Sequence, residues 1–231
     1  MSIRINLSST SSLLPENNLW EKKDFLVNFE DYGNLFSISK KFKKFDCQVK
    51  VIFFADLIDY NELDKKKIKF YKEKLSKIIK MIYLQSSKND KVLIYYSFYD
   101  QNDFNVKLKE TILAELELFF LKKINVILKK SNSVDVINLD KLFSSSGLEK
   151  NFDLRNYYLM KSRFSLKGIK NLSNSIFFEL ASNKNKKKVL LLDCDNTLWG
   201  GVIGEDGYYN VDLVDEGIGL IYKNFQRVIK K

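Results

Sequence analysis

The sequence predicts an α/β protein built on a parallel sheet, and three observations carry that reading. Short apolar runs of strand length recur at residues 3–7, 25–29, 49–55, 92–98, 134–139 and 189–192. Long amphipathic helical patterns fall between the later runs. Strands alternating with such helices imply a parallel sheet covered on both faces. The third observation is size. With 231 residues, 45% of them hydrophobic, and eighteen Phe and twelve Tyr, the chain can fill one large or two small cores and is too apolar to be disordered.

The elements follow in order. Ile3, Ile5 and Leu7 alternate with polar residues and read as a strand. Residues 8–12 are a Ser/Thr loop, and 25–29 is a second strand. Residues 49–55 form a strong buried strand that ends at Asp56. Ile68, Tyr71, Leu75, Ile78, Ile79 and Ile82 mark one face of a helix over 63–84. A strand over 92–98 follows. Leu108, Ile112, Leu116, Phe119 and Phe120 then mark a second helix, and 134–139 a further strand. Residues 166–180 read as a helix and 183–188 as a polar linker. Domain one is therefore 1–183, and a second domain starts at Lys186. Its first element is the apolar run Val189, Leu190, Leu191 and Leu192, read as a buried strand of a parallel sheet. Ile218, Ile221, Tyr222, Phe225 and Ile229 mark its helix. Pro15 is the one proline, so Gly, Asn and Ser supply the turns.

Composition removes several functions. Histidine is absent, which excludes Ser-His-Asp and Cys-His catalysis and His-ligated zinc within this chain. The net charge of +10 is mostly Lys, spread along amphipathic helices and in short runs such as Lys65–Lys67. No nucleic-acid motif accompanies it, so the expectation is a solvated surface and no nucleic-acid partner. An acidic phosphorylated substrate is a milder use of the same field. Cys47 and Cys194 are no disulfide framework, which suits a reducing cytoplasm. Cys194 reads as a small packed hydrophobe. No run reaches membrane-helix length, and the N-terminus lacks a signal-peptide core, so no membrane is expected.

Chemistry concentrates after residue 192. Asp193, Cys194, Asp195, Asn196, Thr197, Leu198, Trp199, Gly200 and Gly201 follow the apolar run. Reactive groups collect outside the carboxyl ends of parallel strands. Asp193 suits attack on phosphorus and coordination of a hard cation, since Mg²⁺ favours one or two carboxylates with phosphate oxygens and water. Asp195, two residues on, suits protonation of the leaving oxygen and activation of water. Thr197 would fix the loop through its hydroxyl, with Asn196 in support. The alternative is an Asx-rich turn with no chemistry.

At these residues the chain resembles the haloacid dehalogenase (HAD) superfamily of phosphotransferases, whose first motif is Asp-x-Asp-x-Thr. The extension through Leu198, Trp199, Gly200, Gly201, Val202, Ile203, Gly204, Glu205, Asp206 and Gly207 is similar to the FkbH-like phosphatases of subclass IIIC. A second block, from Phe152 and Asp153 through Arg155, Tyr158, Leu159 and Lys161 to Phe164 and Ser165, resembles the segment that precedes the phosphatase domain in those proteins. The resemblance implies a flavodoxin/SGNH-like three-layer first domain and the start of a HAD-like Rossmannoid domain over 186–231. It implies Mg²⁺ as cofactor, held by Asp193 and Asp195. It also implies a phosphorylated three-carbon acyl substrate loaded onto an acyl-carrier protein.

In the second block, Arg155 and Lys161 either hold an anionic substrate or serve the seam between domains, where Phe152, Tyr158, Leu159 and Phe164 would pack. The Ser8-to-Ser12 loop falls where an SGNH hydrolase places its serine. Without histidine it reads as a turn or phosphate-binding surface ahead of a nucleophile. No Ser or Thr follows Thr197, so the second-motif hydroxyl of the superfamily does not lie in this chain. Glu205, Asp206, Asp212, Asp215 and Glu216 are further metal candidates, but they follow too soon for the fourth motif. The expectation is the N-terminal part of a longer enzyme, catalytically incomplete by itself. The other reading is an α/β module that binds a carrier or partner beside an inert segment. Sequence beyond Lys231 discriminates the two.

Overall fold

The computed structural model describes residues 2–15, 18–35, 45–60, 63–86, 91–99, 106–129, 133–182 and 189–230. The chain divides into two compact units, Met1–Ala181 and Ser182–Lys231. The polar stretch 183–188 lies outside the described residues. Among those described, no helix is long and apolar enough to cross a membrane.

The first unit is built on five strands: β1 (Ile3–Ser9), β2 (Phe25–Phe29), β3 (Cys47–Phe53), β4 (Val92–Ser97) and β5 (Val134–Asn138). All pair in parallel, in the order β2-β1-β3-β4-β5. This is the flavodoxin-like doubly wound order, with its switch point between β1 and β3. The α/β expectation is met. β3 and β4 are buried at every position; β4 therefore reads as a nearly continuous apolar run, while β3 buries Gln48 and Lys50 among its apolar residues.

Alternation along the strands divides the core between the two faces. Ile5, Leu7, Val49, Val51, Leu93 and Tyr95 face α3 (Leu139–Ser144) and α6 (Leu166–Ser182), through Phe143, Leu172 and Ile176. Ile52, Ile94 and Tyr96 face α1 (Ile68–Ser86) and α2 (Val106–Leu128), through Leu75, Ile79, Leu116 and Phe120. Three layers result. Asp64 caps the turn Lys65–Lys67 that leads into α1, its carboxylate accepting from the Lys66 amide at 3.2 Å.

The second face is polar over β1 and β2. Asn28 donates to Asn6 at 2.7 Å, and Asn6 donates to Gln48 at 3.1 Å, a chain of buried amides across three strands. The buried Lys50 Nζ donates to Ser8 Oγ at 3.0 Å and to the Leu35 carbonyl at 2.5 Å. Burial lowers its pKa from the ordinary 10.5 to about 8, partly offset by Glu30. Short helices α4 (Leu148–Asn151) and α5 (Leu154–Met160) lead into α6.

The second unit holds α7 (Ile203–Asp206) and α8 (Gly217–Ile229). Here the structure corrects one expectation. Residues 189–192 form no ladder, and Leu191 is 90% exposed. A strand exists through hydrogen bonds to a neighbour, and among the described residues nothing pairs with this segment. Apolar character alone did not make a buried strand.

Candidate active site

The loop after residue 192 closes on itself through its own polar groups. The Cys194 carbonyl accepts from the amides of Thr197 at 3.2 Å and Leu198 at 2.8 Å. Asn196 adopts the left-handed region, with φ 53°, which asparagine tolerates better than most residues. Its Oδ1 accepts from the Gly201 amide at 2.9 Å, while its own amide donates to the Gly201 carbonyl at 3.3 Å. Gly201 sits at φ 96°, where a side chain would be strained. Asn196 rather than the Thr197 hydroxyl therefore fixes the loop. The hydroxyl makes no hydrogen bond among the described residues, because the turn is completed by the backbone amide.

Two further contacts anchor the loop to the rest of its unit. Gly200 and Asp212 exchange backbone hydrogen bonds at 3.1 and 2.8 Å. Gln226, on α8, donates to the Leu198 carbonyl at 2.7 Å. The approach at Gly200 is close: a Cβ there would lie 2.9 Å from both Asp212 Cβ and Tyr222 Cε2.

This scaffold treats the two aspartates differently. Asp195 is half-buried, and its Oδ1 accepts from the Trp199 indole Nε1 at 3.0 Å and from the Ile203 amide at 3.4 Å. Asp193 is exposed, and its carboxylate bonds only the adjacent Cys194 amide, at 2.8 Å, among the described residues. Cys194 is exposed too, which corrects its reading as a packed hydrophobe; the short turn leaves no interior for it. Asp206 accepts from the Val202 amide at 2.8 Å, and Asp215 pairs with Lys223 at 2.9 Å, which lowers the Asp215 pKa. Among the described residues no group of three or more His, Cys, Asp or Glu is placed to hold a metal. Asp193 and Asp195 remain a pair of hard oxygen donors.

The sites singled out in the first unit resolve differently. Ser8 and Ser9 belong to β1, so the loop starts at Thr10. Its hydroxyls are engaged internally. Ser9 Oγ accepts from the Ser11 amide at 3.1 Å, and Thr10 Oγ1 accepts from the Phe53 amide at 2.9 Å. Ser11 Oγ donates to the Lys161 carbonyl at 2.7 Å and accepts from the Arg163 amide at 3.0 Å. These hydrogen bonds hold the end of β1 in place.

Arg155 is an exposed side chain that pairs with Asp153, the N-cap of α5, at 3.2 Å. Lys161 closes α5 in the left-handed conformation, its Nζ over the Tyr157 ring at 5.2 Å. Phe152 and Phe164 stack at 5.9 Å inside the core of the first unit, while Tyr158 and Leu159 are exposed. The buried arginine of this segment is Arg163, bonded through Nε and Nη2 to Asp56 Oδ1 at 2.9 and 2.7 Å. No local signal distinguishes it, because its partner lies 107 residues away.

No family model and no curated protein matches the sequence. By structure the chain is similar to the N-terminal part of the protein BF1531 from Bacteroides fragilis, described as containing a phosphatase domain complexed with Mg. The TM-score is 0.79 at 18% sequence identity, over 99% of this chain and 65% of that one. The two share a fold, and this chain spans about two-thirds of the other's length.

Proposed function

We propose that the loop after residue 192 is the nucleophile loop of a Mg²⁺-dependent phosphatase or phosphotransferase of the haloacid dehalogenase type. The observation that carries this reading is the unequal treatment of the two aspartates. Asp195 is held by two N–H donors, whereas Asp193 stands exposed and open to a substrate. The fold shared with a phosphatase-containing structure complexed with Mg supports it.

The donor set fits Mg²⁺, which prefers hard oxygens and binds through one or two carboxylates with waters and phosphate oxygens. Asp193 would hold it, leaving the Asp195 carboxyl to carry the proton, and when bound it supplies charge neutralisation for the phosphoryl group. An Asp193 oxygen attacks phosphorus as the bond to the leaving oxygen breaks, and Asp195 gives that oxygen a proton. Asp195 then takes a proton from water, which attacks the aspartyl phosphate. Phosphate leaves and the Asp193 carboxylate is restored. Asn196 and the Thr197 amide keep both carboxylates on one rigid turn.

The substrate is a phosphorylated small molecule. Its narrowing to a three-carbon acyl group bound for an acyl-carrier protein rests on the FkbH-like resemblance of residues 193–207. The test uses the full-length gene product with acetyl phosphate and Mg²⁺, followed by mass spectrometry of the 189–204 region. A phosphoryl group on Asp193 is expected. Its absence, or its presence on Asp195, sinks the assignment.

A further inference from the structure

We infer that the outer edge of β2 is a self-association surface, on which a second copy of this chain pairs antiparallel through Val27 and extends the sheet. β2 ends the sheet, with β1 on one side and no strand on the other among the described residues. Strands in a parallel pair bond each other through alternate residues. The Ile3 amide donates to the Asp24 carbonyl at 2.8 Å, and the Glu30 amide to the Leu7 carbonyl at 2.9 Å. With Ile3 opposite Phe25 and Leu7 opposite Phe29, the backbone of Asp24, Leu26, Asn28 and Glu30 serves β1. The N–H and C=O of Val27 and Phe29 therefore point to the open edge, as does the Phe25 carbonyl. The Phe25 amide is taken by the Lys22 carbonyl at 3.0 Å.

Open edges in native sheets are commonly guarded by charge, proline or a bulge. The other edge strand, β5, carries Asp135, paired with Lys91 at 3.0 Å. β2 reads Phe-Leu-Val-Asn-Phe and has neither charge nor proline. Beside it lies a groove lined by Pro15, Trp20, Phe25, Val27 and Phe29. The edge is its own complement. With Val27 on a two-fold axis, its N–H donates to the Val27 carbonyl of the second copy, and the second copy returns the bond. The Phe29 N–H donates to the Phe25 carbonyl of the second copy, again in both directions. Phe25 and Phe29 then form a cross-strand aromatic pair, a stabilising combination in sheets. One surface serves both copies, as a closed two-fold interface requires. Charge selects the alignment. Antiparallel pairing about Val27 sets Lys23 against Asp31, which attract, and Asp24 against Glu30, which repel. In-register parallel pairing would put like charges together at all of these positions.

The test is a dilution series of the full-length gene product, read by sedimentation and by amide exchange. The Val27 and Phe29 amides should exchange slowly in the associated protein and fast where sedimentation gives one copy per particle. The Leu26 and Asn28 amides, bonded to β1, should stay slow throughout. Val27→Pro removes the outward N–H and spares the bonds to β1, at a place where edge strands accept proline. It should raise the dissociation constant about 30-fold, for two net hydrogen bonds lost per pair of copies. Fast exchange at Val27 and Phe29 at every concentration overturns the inference, whatever the particle mass. Slow exchange there in single-copy particles also overturns it, because another segment of the same molecule would then cover the edge. An unchanged dissociation constant in Val27→Pro overturns it as well. If Leu26 and Asn28 exchange fast in the variant, its ladder is broken, and the dilution series of the parent decides.

Discussion

Two carboxylates separated by a single residue have different hydrogen-bond surroundings, and the proposed function gives them different roles. Asp193→Asn removes the nucleophile, so the full-length product should form no aspartyl phosphate. Asp195→Asn keeps the nucleophile and removes the acid and base, so the aspartyl phosphate should form slowly and persist. Each variant should lose about 10²-fold or more in phosphate-ester turnover. Near-normal turnover in Asp193→Asn would reverse the assignment. Lys50 supports a second prediction. Its folded-state pKa lies below the ordinary 10.5, at about 8, because burial disfavours the charge. The unfolded chain therefore binds more protons, and stability rises with pH above about 8. A shift of that size corresponds to something on the order of 3 kcal/mol across the full window. Burial of Cys47 pushes its thiol from 9.0 up to about 12, and Tyr95 is raised as well, so both oppose the rise at higher pH. Urea denaturation between pH 8 and 9 should show the increase in the parent and none in Lys50→Met. Parallel curves for the two would refute the assignment to Lys50.

Among the elements, helix α6 shows how a close approach constrains sequence. A Cβ on Gly168 would lie 2.0 Å from the Asn151 carbonyl oxygen, at the end of α4. That atom is backbone and has no rotamer to escape into. Gly168→Ala should destabilise the first unit by about 1–3 kcal/mol, in the range of overpacked sites, read as a lowered Tm. An unchanged Tm would mean that α6 moves freely against α4. The strands show the opposite situation. β4 was recognisable because burial on both faces makes it apolar nearly throughout, whereas residues 189–192 are as apolar and have no ladder among the described residues. Hydrogen exchange over 189–192 in the 231-residue chain should be fast; slow exchange there would show a pairing absent from the structure.

At the scale of the first unit, the buried pair of Asp56 and Arg163 ties the end of β3 to the segment between α5 and α6. The guanidinium also lies 4.4 Å from the Tyr157 ring centre. Arg163→Met would leave the Asp56 carboxylate buried without its partner, a loss of about 3–5 kcal/mol. It should appear as a lower urea midpoint with unchanged m-value. A cost under 1 kcal/mol would mean that water reaches Asp56.

What the sequence alone determined is the α/β class, the central strands, the helical faces and the Asp193 and Asp195 pair. Each of these is written in local periodicity or in contiguous residues, so neighbours along the chain suffice to show it. The tertiary structure decided the rest. Arg163 was indistinguishable from Arg155 until Asp56, distant in sequence, was brought against it. The Ser-rich stretch resembled a site until Lys50, Phe53 and Lys161 were seen to occupy its polar groups. Trp199 looked like part of a motif until the turn at Asn196 folded its indole back onto Asp195. Hydrogen bonds between residues far apart in the chain have no periodicity, and only the fold states which donor meets which acceptor.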